Sequence, residues 1–220
     1  MMCLVTDRHR LADGDIAVDR LVDLVGAAGR AGIDLIQIRE RDLDTRALTA
    51  LVARCVSAVL GTRTRVVVND RIDVALATGA HGVHLRADSV AAPSARTVVG
   101  ATAVIGRSIH HLHEATDIAG AGGVDYLIFG TLHETKSKAA GHPVATLDEL
   151  RATCRAAAGI PVLAIGGMTL ERAADAARAG ASGIAGIGLF VPPAGVSADT
   201  HVEMIASGLR RAFDTCEAVS

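Results

Sequence analysis

Val162-Leu163-Ala164-Ile165-Gly166-Gly167 is followed by a stretch with helical spacing at 170–179. Gly180 comes next, and then Gly183-Ile184-Ala185-Gly186-Ile187-Gly188. Each flank is a short apolar run without polar alternation, the pattern of a strand buried on both faces. Between them Ala and Leu recur at helical spacing with polar residues on the remaining face, and Gly180 supplies a left-handed stop at little cost. The stretch predicts strand, helix, strand, which is one unit of a parallel sheet.

The same unit recurs outward to both ends of the chain. Short, mainly apolar segments at 2–6, 35–38, 65–68, 82–85, 103–105, 126–129, 162–165 and 183–187 make eight candidate strands. Helical spacing separates them, for example at 18–30, 45–60 and 112–120, and glycines at 32, 79, 122, 123 and 159 stand just before the next strand. Uninterrupted alternation predicts a single-domain (β/α)8 TIM barrel over residues 1–220, with a phosphate site at the loops after strands 7 and 8. An open doubly wound sheet is the alternative, but the first strand lacks the GxGxxG turn of a dinucleotide site. No linker interrupts the pattern, and 191–198, with two prolines, reads as a loop before the last helix.

The composition narrows the chemistry. Half the residues are hydrophobic but only 2% are aromatic, so the core must be built from Ala, Val, Ile and Leu. A net charge of −2 and few aromatic rings give neither a basic field nor stacking surfaces, which excludes nucleic acid as an expected partner. Cys3, Cys55, Cys154 and Cys216 lie far apart with no metal-ligand spacing and read as buried thiols. No apolar run approaches the roughly 18 residues of a membrane span, and charges from Asp7 onward do not fit a signal peptide. A cytoplasmic enzyme without membrane contact is expected, and barrels of this size often pair, so a homodimer is expected too.

Polar residues gather at the predicted C-terminal ends of the strands: Thr6 and Asp7, Gln37 and Arg39, Asn69 and Asp70, His84, Ser108 and His110, and 135–138. In a barrel these ends converge on one mouth. Asn69 and Asp70 could instead cap the next helix. Alternation sends Gln37, Arg39 and Arg41 to one face, where a guanidinium suits phosphate or carboxylate; a buried Arg39 paired with a neighbouring carboxylate is the competing reading. Gly166, Gly167, Ile187 and Gly188 end strands 7 and 8, where the backbone can approach an anion, although glycines also serve tight turns. His110 is placed to take and return a proton near neutral pH, whereas His111 and His113 begin the next helix. Residues 130–143 form a long loop in which Thr135, Lys136, Ser137 and Lys138 suit a lid over an anionic ligand, or a merely solvated loop. These two lysines are the only ones in the chain, so no strand lysine is present for Schiff-base chemistry.

The motifs Cys3–Asp7, Ile36–Arg41, Val68–Arg71, Gly82–Leu85, Asp125–Gly130, 135–138 and Ala164–Met168 together resemble the thiamine phosphate synthase superfamily, which includes the thiazole tautomerases. The resemblance covers nearly the whole chain. It implies a small phosphorylated heterocyclic substrate, with Gln37, Arg41, Asn69, Ser108 and 135–138 among its binding residues. In the synthase pattern magnesium neutralises a departing pyrophosphate, and Asp70 would match one metal ligand. The second expected aspartate is Ser89 here, Arg86 adds a cation beside it, and Arg41 stands for the usual lysine. Gly106–His110 and Phe129-Gly130 followed by Glu134-Thr135 are similar to the tautomerase branch, which needs no metal. The resemblance therefore implies aromatisation of a carboxythiazole phosphate without a cofactor, with His110 and Arg39 catalytic. Arg39, with Lys136 or Lys138, would hold the carboxylate. A magnesium-dependent thiamine-phosphate synthase is the alternative, and a non-catalytic phosphate-binding relative is a third reading.

Overall fold

A computed structural model describes residues 1–134 and 143–217. The strands β1 Met2–Val5, β2 Leu35–Ile38, β3 Arg65–Asn69, β4 Gly82–Leu85, β5 Val104–Ile109, β6 Tyr126–Phe129, β7 Val162–Ala164 and β8 Gly183–Gly186 pair in parallel, each with the next. Strand β8 returns to β1 through Cys3 opposite Ala185, which closes the (β/α)8 barrel. Helices follow the strands: α1 Gly14–Arg30, α2 Thr45–Ala58, α3 Ile72–Thr78, α4 Ala92–Val99, α5 Leu112–Ala121, α6 Leu147–Ala156, α7 Leu170–Arg178 and α8 Ala198–Glu217. No helix among the described residues is long and apolar enough to cross a membrane.

The buried residues form two layers. Cys3, Val5, Leu35, Val67, Val104, Tyr126, Ile128, Leu163 and Ala185 fill the barrel interior. A larger aliphatic cluster, including Leu21, Ile36, Leu51, Val68, Ile105 and Leu127, packs the sheet against the helices. The side-chain alternation of a strand divides each run between these layers. Glycine is required where the helices turn back toward the sheet: Gly79 closes α3 at φ +65° with its N–H donating to the Ala75 carbonyl.

One local expectation is corrected and one alternative falls away. Strand β5 does not stop at Ile105 but continues through Gly106, Arg107, Ser108 and Ile109, because pairing with Tyr126–Phe129 of β6 carries it to the mouth. Asn69 and Asp70 do not cap α3, whose N-cap is Arg71 and makes no side-chain cap bond. The two residues are engaged across the mouth instead: Asn69 Oδ1 accepts from Gln37 Nε2 at 2.9 Å, and the Ser89 hydroxyl donates to Asp70.

Candidate active site

The C-terminal mouth holds a cavity of about 590 Å³. Strand ends distant in sequence meet there, so Gln37, Arg39, Arg41, Asn69, Ser108, His110, Gly166, Gly167, Ile187 and Gly188 all line it. Thr135, Lys136, Ser137 and Lys138 lie outside the described residues. Strand β2 ends at Ile38, yet the alternation holds one step further and brings Arg39 and Arg41 to the cavity beside Gln37. Arg39 is held by its backbone N–H, which donates to Thr6 Oγ1 at 2.8 Å. Its guanidinium makes no ion pair or hydrogen bond among the described residues, because Glu40 and Asp42 pair with Arg8. Burial, and then the like charge of Arg41, lower the Arg39 pKa against the smaller opposing pull of Asp7 and Glu40. A half-buried cation without a carboxylate partner is better satisfied by an anionic ligand than by solvent.

His110 stands at the rim where β5 gives way to α5. Glu114 Oε2 accepts the backbone N–H groups of His110 at 2.6 Å and His111 at 2.7 Å, which fixes the start of the helix and the imidazole above it. The ring is 2.6 Å from the Gly130 carbonyl through Nδ1. A carbonyl can only accept, so Nδ1 carries a proton, and a ring with that one proton has its lone pair on Nε2. That is the form a general base needs.

Across the mouth the wall is made of backbone. Gly166 and Gly167 have φ values of +108° and +57°. A Cβ on Gly166 would come within 2.5 Å of Thr131 Cγ2, and one on Gly167 within 2.8 Å of His133 Cβ. Both the turn and the close approach therefore require glycine. Gly188 opens a 3-10 turn, and a Cβ there would lie 3.3 Å from Nη1 of Arg10. Arg10 thus brings a guanidinium over Gly188 and lines the cavity, with its Nε donating to Asp7 at 3.0 Å. Sequence reasoning missed Arg10, which sits in a short 3-10 turn after β1 with no periodicity to mark it; its spacing three residues after Asp7 was the only signal. His84, expected at the mouth, is buried beneath it and reaches the cavity only through Ser108.

The third side decides what a cation could do here. Asp70 accepts from the Ser89 hydroxyl, and its Oδ2 lies 3.2 Å from Nε of Arg86. Asp88 pairs with the same guanidinium at 3.0 Å and is largely exposed. Arg107 donates to the carbonyls of Ala87 and Val90 at 2.8 Å each and pins the loop that carries Arg86. No group of three His, Cys, Asp or Glu side chains that could hold a metal occurs among the described residues. A divalent magnesium ion wants several free oxygen ligands. Here the central carboxylate is already occupied by a resident cation and a hydroxyl, so these residues do not fit the metal.

Residues 2–190 match the family described as thiamine monophosphate synthase. The thiamine-phosphate synthase of Roseiflexus castenholzii is 36% identical over 188 residues, covering 86% of this chain and 79% of that protein. That of Moorella thermoacetica is 37% identical over 178 residues, covering 80% of this chain and 83% of that protein. The thiamine phosphate pyrophosphorylase structure from Pyrococcus furiosus superposes with a TM-score of 0.78 at 27% identity, covering 98% of this chain and 96% of that one.

Proposed function

The chain belongs to the thiamine monophosphate synthase family, an enzyme family of thiamine biosynthesis, and from that premise we propose that it is the family's metal-free variant, a thiazole tautomerase aromatising a carboxythiazole phosphate. The observation that carries this reading is the pairing of Asp70 with Arg86 and Ser89, which removes the carboxylate a magnesium-dependent coupling would use. In the proposed reaction the C–H bond at the ring carbon bearing the carboxylate breaks, and its electron pair enters the ring. The exocyclic double bond shifts, and its terminal carbon takes up a proton. His110 Nε2, unprotonated while Nδ1–H donates to Gly130, accepts the first proton and returns it to the exocyclic carbon, leaving the enzyme unchanged. Arg39 holds the carboxylate, while Arg10 and the backbone near Gly167 and Gly188 hold the phosphate. Holding both ends supplies orientation, worth several kcal/mol of barrier. Buried free thiols at Cys3 and Cys55 accord with a reducing cytoplasm.

Thiamine-phosphate synthesis is the second reading, favoured by the names of relatives at 36–37% identity. It requires Asp70 to exchange Arg86 for a metal. Turnover of the carboxythiazole phosphate tautomer in excess chelator tests the first reading: unchanged rates support it, and binding without turnover would overturn it and leave the synthase or a non-catalytic phosphate-binding relative.

A further inference from the structure

His84 of β4, Gly106 of β5 and Tyr126 of β6 lie in one register row across three adjacent strands. Tyr126 is fully buried, and its ring occupies the space a side chain at Gly106 would fill: a Cβ there would be 2.0 Å from Tyr126 Cζ. The missing side chain at Gly106 lets the phenol cross that strand and place its hydroxyl 2.9 Å from His84 Nδ1. His84 Nε2 lies 2.9 Å from the Ser108 hydroxyl, one residue pair nearer the mouth on β5. The chain of contacts runs from the barrel interior to the cavity wall.

The proton positions follow from counting donors. Burial pushes the His84 pKa down to about 3, so the ring is neutral and carries one N–H. Among the described residues the Tyr126 hydroxyl has one hydrogen-bond partner, His84 Nδ1, and the Ser108 hydroxyl has one, His84 Nε2. If Nδ1 carried the proton, the buried phenolic hydrogen would have no acceptor, which is costly. If Tyr126 donates to Nδ1, then Nε2–H donates to Ser108 and every group is satisfied. The Ser108 hydrogen must then point away from His84, into the cavity.

We propose that Tyr126 and His84 are positioning residues that turn Ser108 into a hydrogen-bond donor facing the ligand, so that the ligand atom opposite Ser108 is an acceptor, on the proposed substrate an anionic oxygen. This deepens the tautomerase reading, in which that oxygen belongs to the carboxylate or to the phosphate. Neither Tyr126 nor His84 touches the ligand.

Two measurements on the full chain test it. Imidazole nitrogen NMR of the ligand-free protein should show His84 with Nε2 protonated and Nδ1 bare, and Tyr126→Phe should shift the ring toward the other tautomer while the fold is retained. An Nδ1–H ring in the unsubstituted protein overturns the proposal. Calorimetry with the aromatic carboxythiazole phosphate should show affinity about tenfold or more weaker in Ser108→Ala and weaker in Tyr126→Phe, with Ser108→Thr close to the unsubstituted protein. Repeating it with the thiazole phosphate lacking the carboxylate assigns the oxygen: a vanished Ser108 effect marks the carboxylate and a persistent one the phosphate. Ser108→Ala binding both compounds at full affinity overturns the proposal. Both compounds belong to thiazole phosphate chemistry shared with the synthase reading, so absent tautomerase turnover alongside Ser108-dependent binding would sink that reading and leave the relay standing.

Discussion

The two sides of the cavity mouth are built from different materials. On the β6 to β8 side the wall is backbone: Gly166 and Gly167 sit where a side chain would collide with Thr131 or His133, and Gly188 lies under Arg10. On the β2 to β4 side it is charge, with Arg39 in no direct ion pair among the described residues and Arg86 seated on Asp70 and Asp88. A backbone wall is set by chain geometry and admits few changes, so it suits an element common to many reactions, such as holding a phosphate. A wall of charged side chains changes function by single substitutions. On the proposed reading, the choice between proton shift and metal-assisted coupling lies with Arg86 and Ser89, and the grip on the phosphate lies with the glycines.

The largest expected effect falls on the group that stands between the two walls. His110→Ala should lower tautomerase turnover by about 100- to 10,000-fold, the usual worth of a general base, with a small change in KM. Full turnover would remove His110 from the reaction. Arg86→Gly combined with Ser89→Asp should convert the charged wall into a metal site. Calorimetry should read magnesium binding at least about tenfold tighter than in the unsubstituted protein, as expected when a cation is removed and a carboxylate added. Unchanged magnesium affinity would mean that the Asp70 pairing is not what excludes the ion.

A pH experiment separates the interior from the walls. The folded-state pKa of His84 is about 3, against 6.5 ordinarily. Above about pH 6.5 both states are neutral at this residue, and the stability is fully present. Below it the unfolded chain binds a proton that the folded chain does not, so stability falls with a slope of up to about 1.4 kcal/mol per pH unit as pH drops toward 3. Urea midpoints at pH 7 and pH 5 should therefore diverge less in His84→Gln than in the unsubstituted protein. Equal divergence would show that His84 is not the group taking up that proton. The smallest effect is expected for Gly188→Ala, whose Cβ would meet only the flexible end of Arg10 at 3.3 Å. Its KM should rise by roughly tenfold or less, with turnover intact, through displacement of that guanidinium; a collapse in turnover would place Gly188 closer to the chemistry than to the phosphate.

Much of the barrel is legible in the sequence because buried parallel strands read as aliphatic runs and the glycines after the helices mark each return. Strand β5 is where that signal misleads. Gly106-Arg107-Ser108 looks like a loop by composition, yet Gly106 is small because Tyr126 fills its place, and Arg107 points outward to the carbonyls of the β4 loop. No local pattern reports a side chain borrowed from the neighbouring strand. The same holds for Asn69 and Asp70, whose types suit a helix cap but whose partners come from β2, for Gln37, and from the loop after β4, for Ser89 and Arg86. Arg39, Arg41 and His110 could be read from strand alternation and position, whereas Arg10 depends on a turn that folds over Gly188.

The most direct measurement is turnover by the purified chain on two substrate sets side by side: the carboxythiazole phosphate tautomer in chelator, and a pyrimidine pyrophosphate with thiazole phosphate and magnesium. The pairing of Asp70 with Arg86 predicts aromatisation in the first and no coupling in the second. Magnesium-dependent coupling in the second, with no aromatisation in the first, would contradict it and make the chain a working thiamine-phosphate synthase that tolerates Arg86 and Ser89.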